Sequence, residues 1–390
     1  MIEKIADRKT GVTLSYGMVG GGYGSMIGDT HRKAIALDSL AEIEAGCFSR
    51  SAENNTATAK ALGIAMDRCY RSFEEMAGAE AARPDKIDFV VIATHNDSHF
   101  AACKAFLNKG IHVVCDKPLT LEVAEAQELA DIAKKNKLLF AVTYTYTGFP
   151  AVKQIREMIR SGSIGEIRYV YAEYLQNWLA TAVEKEGNKQ AKWRLDPKSS
   201  GKTNTVGDIG SHIENMVSCV TGLRIKSLCA RLDKIVEGRV LDDNANIMVE
   251  YTSGAKGFYW PCQVAIGYDN GLSLRILGSK GSIQWTQENP DYIDLFKLGQ
   301  PKECWALGED GFHPLAQNHS QILSSRPAGY HEIMGNIYKT YIGALAKLKA
   351  GLTVSEEDMD FPGVEMGLDG VRFINKCAES SEKGAVWVDL

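Results

Sequence analysis

Asp208 and His212 stand four positions apart in the stretch Thr205-Val206-Gly207-Asp208-Ile209-Gly210-Ser211-His212-Ile213-Glu214-Asn215. If a helix begins near Ile209, the two side chains share one face, with the carboxylate at the helix mouth. Histidine titrates near neutral pH and a neighbouring carboxylate stabilises its charged form, so the pair suits removal of a proton from a substrate hydroxyl. The same spacing also describes an ordinary N-cap aspartate followed by a surface or core histidine. A third residue with chemical potential, Lys117, lies in Asp116-Lys117-Pro118-Leu119-Thr120. At a strand end its ammonium can donate to a substrate oxygen and favour a developing alkoxide; the alternative is a solvated loop lysine.

The elements that must position these residues alternate along the first half of the chain. Residues 13–20 form a short apolar run ending in glycine, which reads as a buried parallel strand. The turn Gly20-Gly21-Gly22-Tyr23-Gly24-Ser25 follows. In a dinucleotide-binding turn one glycine permits the bend and the next lets the backbone approach a pyrophosphate, which rests on the following helix N-terminus. Gly20 and Gly22 fill those places, and Ser25 replaces the third glycine of G-x-G-x-x-G with another small residue. Strand-like runs over 41–49, 86–94, 111–115 and 138–144 alternate with helical ones over 53–62, 97–108 and 121–135, with Gly110 as a helix stop. This predicts an α/β fold with a doubly wound parallel sheet whose C-terminal strand ends gather ligands. Thr94-His95-Asn96 and Asp116-Lys117-Pro118 fall at two such ends. Ser49-Arg50-Ser51 stands where an NAD enzyme often carries an acid. Arg50 can pair with a 2′-phosphate, stack on adenine or stay solvated, which leaves NAD(H) and NADP(H) both open.

The pattern changes after residue 146, which divides the chain into 1–146 and 147–390. A helix over 150–160 closes at Ser161-Gly162, and 166–176 is an aromatic-rich strand. Residues 177–204 make a long polar stretch, longer than a plain connection. Tyr174, Gln176, Trp178, Trp193 and Arg194 offer the aromatic faces and polar rims that a sugar ring requires, or they simply pack this loop. Runs over 225–237, 245–252, 257–265 and 272–285 are separated by glycine and asparagine turns without helices, which favours an antiparallel sheet. Tyr330 and His331, before a helix over 333–349, are further substrate-binding candidates.

A chain of 390 residues suggests about two domains, and 45% hydrophobic with 24% charged residues is ordinary for a soluble protein. A net charge of −5 carries no footprint for nucleic acid. Nine cysteines without a C-x-x-C pair argue for buried thiols in a reducing cytosol and against structural zinc. His95 and His99 share a spacing but lack a third ligand, so no metal is expected. Residues 1–11 contain no apolar leader and no run reaches membrane-spanning length, so a cytoplasmic protein is expected.

Gly20-x-Gly22, Thr94-x-Asn96-x-x-His99, Asp116-Lys117-Pro118 and Asp208-x-x-x-His212 together resemble the Gfo/Idh/MocA oxidoreductases over nearly the whole chain. Three positions depart from the family pattern: Asp116 replaces glutamate, His95 replaces proline and Ser25 replaces glycine. The resemblance implies a Rossmann domain followed by an α+β domain with a large, mostly antiparallel sheet, and a homo-oligomer, dimer or tetramer, packed through that sheet. It implies Lys117, Asp208 and His212 as catalytic residues. Gly20, Gly22, Tyr23, Ser25, Ser49, Arg50, Thr94, Asn96, His99, Asp116 and Lys117 would bind NAD(H) or NADP(H), either exchangeable or tightly bound. The expected reaction oxidises a secondary hydroxyl of a sugar, glycoside or cyclitol. Tyr174 to Trp178 and Trp193-Arg194 look like those of members acting on glucose-like rings, so C3 of a glucoside comes first and inositol second. One alternative is a glycosidase that uses the same cofactor transiently to acidify a ring proton and eliminate the glycosidic bond. Another is a nucleotide-sensing module that binds without turnover.

Overall fold

The computed structural model describes residues 12–39, 41–320 and 328–390, which divide into two compact units. The described residues of the first run to Thr120, then take Ala124–Thr145 and Tyr330–Leu368. Its parallel sheet contains β1 (Leu14–Gly20), β2 (Ala41–Cys47), β3 (Phe89–Ala93), β4 (His112–Cys115) and β5 (Phe140–Val142), in the order β2-β1-β3-β4-β5. Every residue of β3 is buried, as expected for a central strand covered on both faces. An isolated parallel bridge from Gly46 to Cys69 extends the sheet beyond β2. It stands where the third strand of the 3-2-1-4-5-6 dinucleotide fold would lie, reduced here to one rung.

Three helices of this unit start on serine caps. Ser25, Ser51 and Ser72 accept the backbone N–H of Gly28, Asn54 and Glu75, satisfying donors that helix geometry leaves open. Ser25 therefore does more than stay small in place of the third glycine: it caps the helix Met26–Ala36. Close packing comes instead from Gly28, where a Cβ would fall 2.2 Å from the Gly21 Cα. The helix Tyr330–Lys349 sends Met334, Ile337, Tyr338, Tyr341 and Leu345 into one core with Leu14, Tyr16, Phe89 and Phe361. Burying side chains of this size stabilises by about 1.5–3 kcal/mol each. Segment 330–368 therefore belongs to the first unit, whereas the sequence reading placed it in the second. Its apolar face finds its partners across some three hundred residues, which local pattern cannot register.

The second unit carries β6 (Ile167–Leu175), β7 (Ile225–Asp233), β8 (Asn244–Tyr251), β9 (Lys256–Cys262), β10 (Gly271–Gly278), β11 (Gly281–Thr286), β12 (Tyr292–Lys297), β13 (Glu303–Ala306) and β14 (Val388–Asp389). The sheet order is β13-β12-β11-β10-β6-β9-β8-β7-β14, and among these pairings only β6 with β9 is parallel. The large, mostly antiparallel sheet is thus present. The run 272–285 is not one strand but the hairpin β10–β11, with Ile283 opposite Ile276. It turns at Ser279-Lys280, just past Gly278, where a Cβ would fall 2.1 Å from the Ile164 carbonyl oxygen. Within the stretch read as a loop, Lys189–Arg194 and Pro197–Ser200 are short helices. Arg239, its side chain fully buried, donates to the carbonyls of Leu179 (2.8 Å) and Thr181 (2.7 Å) and pairs with Asp243 (3.0 Å) and Glu184 (3.2 Å). This clamp fixes residues 179–184, and leaving one of its charges without a partner would cost about 3–5 kcal/mol.

Candidate active site

In the first unit the nucleotide side is built from backbone. Gly20 ends β1 opposite Ala93, so the glycine turn lies beside Thr94 and Asn96 at the C-terminal edge of the sheet. Gly20 has a φ of +81°, and a Cβ there would fall 2.3 Å from the Ala93 oxygen. At Gly22 a Cβ would fall 2.6 Å from Asn54 Oδ1 and 2.8 Å from the Phe48 oxygen. Only glycine can close this turn, and it leaves bare backbone at the start of Met26–Ala36, the cradle a pyrophosphate requires. Asn54 accepts the Tyr23 N–H (3.0 Å) and donates to the Tyr23 carbonyl (3.1 Å), while the Tyr23 ring is 80% exposed. Arg32 donates to the Gly21 carbonyl at 2.7 Å. Ser49 accepts the Ser51 N–H at 3.1 Å, and Arg50 is exposed.

His99 is fully buried, its ring nitrogens 2.9 Å from the Pro118 carbonyl and 3.2 Å from the Thr94 carbonyl. It ties the strand-end turns of β3 and β4 together through Thr94 and Pro118. Thr94 accepts from the Ser98 hydroxyl at 2.8 Å, and Asn96 opens a short 3-10 turn. Asp116 Oδ1 accepts from the Thr143 hydroxyl (2.7 Å) and from the Lys117 N–H (3.1 Å). The shorter acid in place of glutamate thus brackets the backbone of half-buried Lys117. Tyr330 places its hydroxyl 3.4 Å from that of Thr145 at the start of Tyr330–Lys349, and His331 follows it there.

In the second unit the site is built from side chains. Val206–Gly210 form a π-helical turn that runs into the helix Ser211–Thr221. Asp208 lies inside this turn, its N–H bonded to the Asn204 carbonyl at 2.7 Å, so it does not cap the helix. Turns of this kind recur at functional sites because they re-aim a side chain without ending the helix. Asp208 Oδ2 accepts from Gln263 Nε2 at 2.8 Å, and Oδ1 faces Arg194 Nε at 3.4 Å. The Arg194 guanidinium lies 4.3 Å from the Trp193 ring centroid and 5.8 Å from that of Trp178. Gln190 Oε1 accepts from both Arg194 (2.6 Å) and the Trp193 indole (3.1 Å), while the Trp178 indole donates to Gln176 at 3.0 Å. The expected residues Gln176, Trp178, Trp193 and Arg194 therefore gather around the Asp208 carboxylate.

His212, 6% exposed, rests edge-on against Tyr146 with the ring centroids 4.7 Å apart. The Tyr146 and Tyr174 hydroxyls are hydrogen-bonded to one another. Tyr174 also donates to Asn270 Oδ1 (2.6 Å), which takes a second bond from Gln176 (2.9 Å), and Asn270 Nδ2 reaches the Tyr146 oxygen at 3.3 Å. Tyr174 is only 2% exposed, so the structure makes it a buried support for Tyr146. Burial holds the Tyr146 phenol above its ordinary pKa, against the hydrogen bonds from Tyr174 and Asn270. Tyr146, Gln263 and Asn270 carry no local motif that would mark them in the sequence. Among the described residues no three His, Cys, Asp or Glu side chains gather as metal ligands do, and no helix is long and apolar enough to cross a membrane.

Comparison with known proteins places both units. The profile of an oxidoreductase family, GFO/IDH/MocA, with an NAD-binding Rossmann fold matches residues 14–144, and that of the GFO/IDH/MocA C-terminal domain matches 152–284. An uncharacterised oxidoreductase of Bacillus subtilis, YfiI, is 32% identical over 97% of both chains. An inositol dehydrogenase homologue from Azotobacter vinelandii, solved with NADH and myo-inositol, superposes with a TM-score of 0.88 at 34% identity, covering 97% of this chain and 98% of that one. Levoglucosan dehydrogenase, solved with NADH and levoglucosan, superposes with a TM-score of 0.81 at 25% identity over 97% and 99% of the two chains.

Proposed function

The chain belongs to the GFO/IDH/MocA oxidoreductases, NAD-dependent dehydrogenases of sugars and polyols, and from that premise we propose that it oxidises a secondary ring hydroxyl of a sugar, glycoside or cyclitol. C3 of a glucoside is the first candidate and inositol the second. The dinucleotide, NAD(H) or NADP(H), supplies the hydride acceptor when bound. Gly20 and Gly22 bring bare backbone to its pyrophosphate, with Tyr23, Ser25, Thr94, Asn96 and Asp116 shaping the same edge of the sheet. His212 takes the proton from the substrate hydroxyl, and the Asp208 charge one helical turn earlier favours the resulting imidazolium. Lys117 supplies an ammonium that can donate to a substrate oxygen and lower the cost of its negative charge. Trp178 and Trp193 offer faces to the apolar side of a ring, while Gln176 and Arg194 meet its hydroxyls.

One observation carries this reading: a single carboxylate, Asp208, is gripped on one edge by Gln263 and on the other by an arginine lying over two indole rings. Incubating the protein with NAD+ or NADP+ and a panel of polyols, cyclitols and glycosides should produce reduced nicotinamide with a ring substrate. Free aglycone without net reduction would mark the transient-redox glycosidase instead. His212→Ala should lower kcat by about a thousandfold while nucleotide affinity stays put; surviving activity sinks the base assignment.

The homo-oligomer belongs to the same proposal. Tyr169, Met248 and Leu277 are exposed on β6, β8 and β10, and the cross-strand register puts them on one sheet face with the stacked pair Tyr171 and Phe258. A second copy covering that face accounts for its apolar character. Light scattering at micromolar concentration should give a multiple of the chain mass, and Tyr171→Asp should reduce it.

A further inference from the structure

Gln263 follows β9 directly, has no exposed surface, and makes four hydrogen bonds through its amide. The oxygen accepts from Asn204 Nδ2 (2.9 Å) and the Thr205 hydroxyl (2.8 Å); the nitrogen donates to Asp208 Oδ2 (2.8 Å) and Gln176 Oε1 (3.2 Å). The amide cannot be turned around. Asp208 as a carboxylate only accepts, and Asn204 Nδ2 is itself held as a donor by the Asp242 carbonyl at 3.0 Å. Behind this, the Asp242 carboxylate accepts the N–H groups of Asn204 (2.6 Å) and Val206 (2.9 Å), which pins the start of the π-turn that carries Asp208. Gln176 passes the same constraint outward, because its oxygen also takes the Trp178 indole N–H.

We propose that Gln263 is a positioning residue for the reaction: it sets the plane of the Asp208 carboxylate and, through Gln176, the seat of Trp178, so that one buried amide aligns the proton-handling pair with the ring-binding face. The proposal rests on the roles given above to Asp208 and His212. A fixed amide donor favours the ionised form of the acid it faces, and a carboxylate in its place disfavours it. Charged or titratable groups near Asp208 include the Arg194 guanidinium and the Tyr146 phenol, with His212 four residues on in the chain, and Asp242 stands behind Gln263 through Asn204. None of these is altered by changing Gln263.

The test uses Gln263→Leu and Gln263→Glu in the full chain, with nucleotide affinity as the control for folding. Gln263→Leu should lower kcat about 30-fold with little change in affinity for the nucleotide. The pH at which Asp208 itself titrates should rise by about one unit in Gln263→Leu and further in Gln263→Glu. Asp208 itself can be followed by NMR in protein labelled with 13C-aspartate, its signal assigned by its loss in Asp208→Asn. That titration needs no turnover. If it moves as expected while the wild-type protein oxidises no polyol, the functional reading fails and the positioning role stands. If Asp208 titrates at one pH in all three proteins, or only thermal stability changes, the positioning role is overturned. Should Gln263→Leu not fold, Thr205→Val removes one of the two anchors on the Gln263 oxygen and should raise the Asp208 titration by a smaller amount; an unmoved titration there is equally fatal.

Discussion

The glycine turn of the first unit and the Asp208 network of the second are both polar, yet they are assembled by opposite means. The turn depends on backbone conformations and clearances that only glycine allows, against the Ala93 carbonyl of the neighbouring strand and the Phe48 carbonyl, with Asn54 reaching Tyr23 as its side-chain support. The network depends on side-chain amides and hydroxyls brought from far away. Gln263 reaches Asp208 across 55 residues, Gln176 reaches Asn270 across 94, and Asn270 reaches Tyr146 across 124. A site made of backbone leaves a compact motif, whereas a site made of distant side chains leaves scattered residues that look ordinary one at a time. The contrast also predicts that the two can be damaged separately.

The largest expected effect is that of Asp208→Asn, which should lower kcat by about a thousandfold while nucleotide affinity, read by fluorescence titration, is retained. A parallel loss of nucleotide binding would break the division between the two regions. Gly22→Ala should do the reverse. Its Cβ would meet Asn54 Oδ1 and the Phe48 oxygen, so nucleotide affinity should fall by at least about tenfold, measured by calorimetry, with His212 chemistry intact at saturating cofactor. Arg50→Ala sharpens the nucleotide side further. Loss of about tenfold in NADP+ affinity without change for NAD+ would place the exposed guanidinium at a 2′-phosphate, and equal affinities before and after would leave it solvated.

The smallest effect concerns Glu214, a buried acid two residues beyond His212. Burial and then the nearby Asp369 push its carboxyl up to about 8, against the opposing pull of Arg224. A folded value above the unfolded one means that the native protein keeps a proton the unfolded chain has already lost. Stability from this group is therefore complete below about pH 4.5 and declines as pH rises toward 8. Glu214→Gln should flatten that decline, raising Tm by a few degrees at pH 8 and not at pH 4, with kcat unchanged. Asp242, pushed to about 6 by burial, adds a decline of the same sign at lower pH that this substitution leaves in place. A loss of kcat in Glu214→Gln would show that the catalytic network extends further along the helix than the Asp208 contacts indicate.

What the amino-acid sequence determined alone was whatever rests on short-range rules. Alternating apolar runs specified the parallel sheet, glycines at 20 and 22 specified a turn that nothing larger can adopt, and the four-residue spacing put Asp208 and His212 in one continuous helical segment. Tertiary structure decided the rest. It folded 272–285 into a hairpin, returned Tyr330–Leu368 to the first unit, and gave Ser25 a capping bond in place of the third glycine. It also drew Tyr146, Gln263 and Asn270 to the side chains that had been expected. The reason is that backbone dihedrals and hydrophobic period are set by immediate neighbours. The partner of a buried amide is set by sheet register and packing, and no single stretch of chain contains that information.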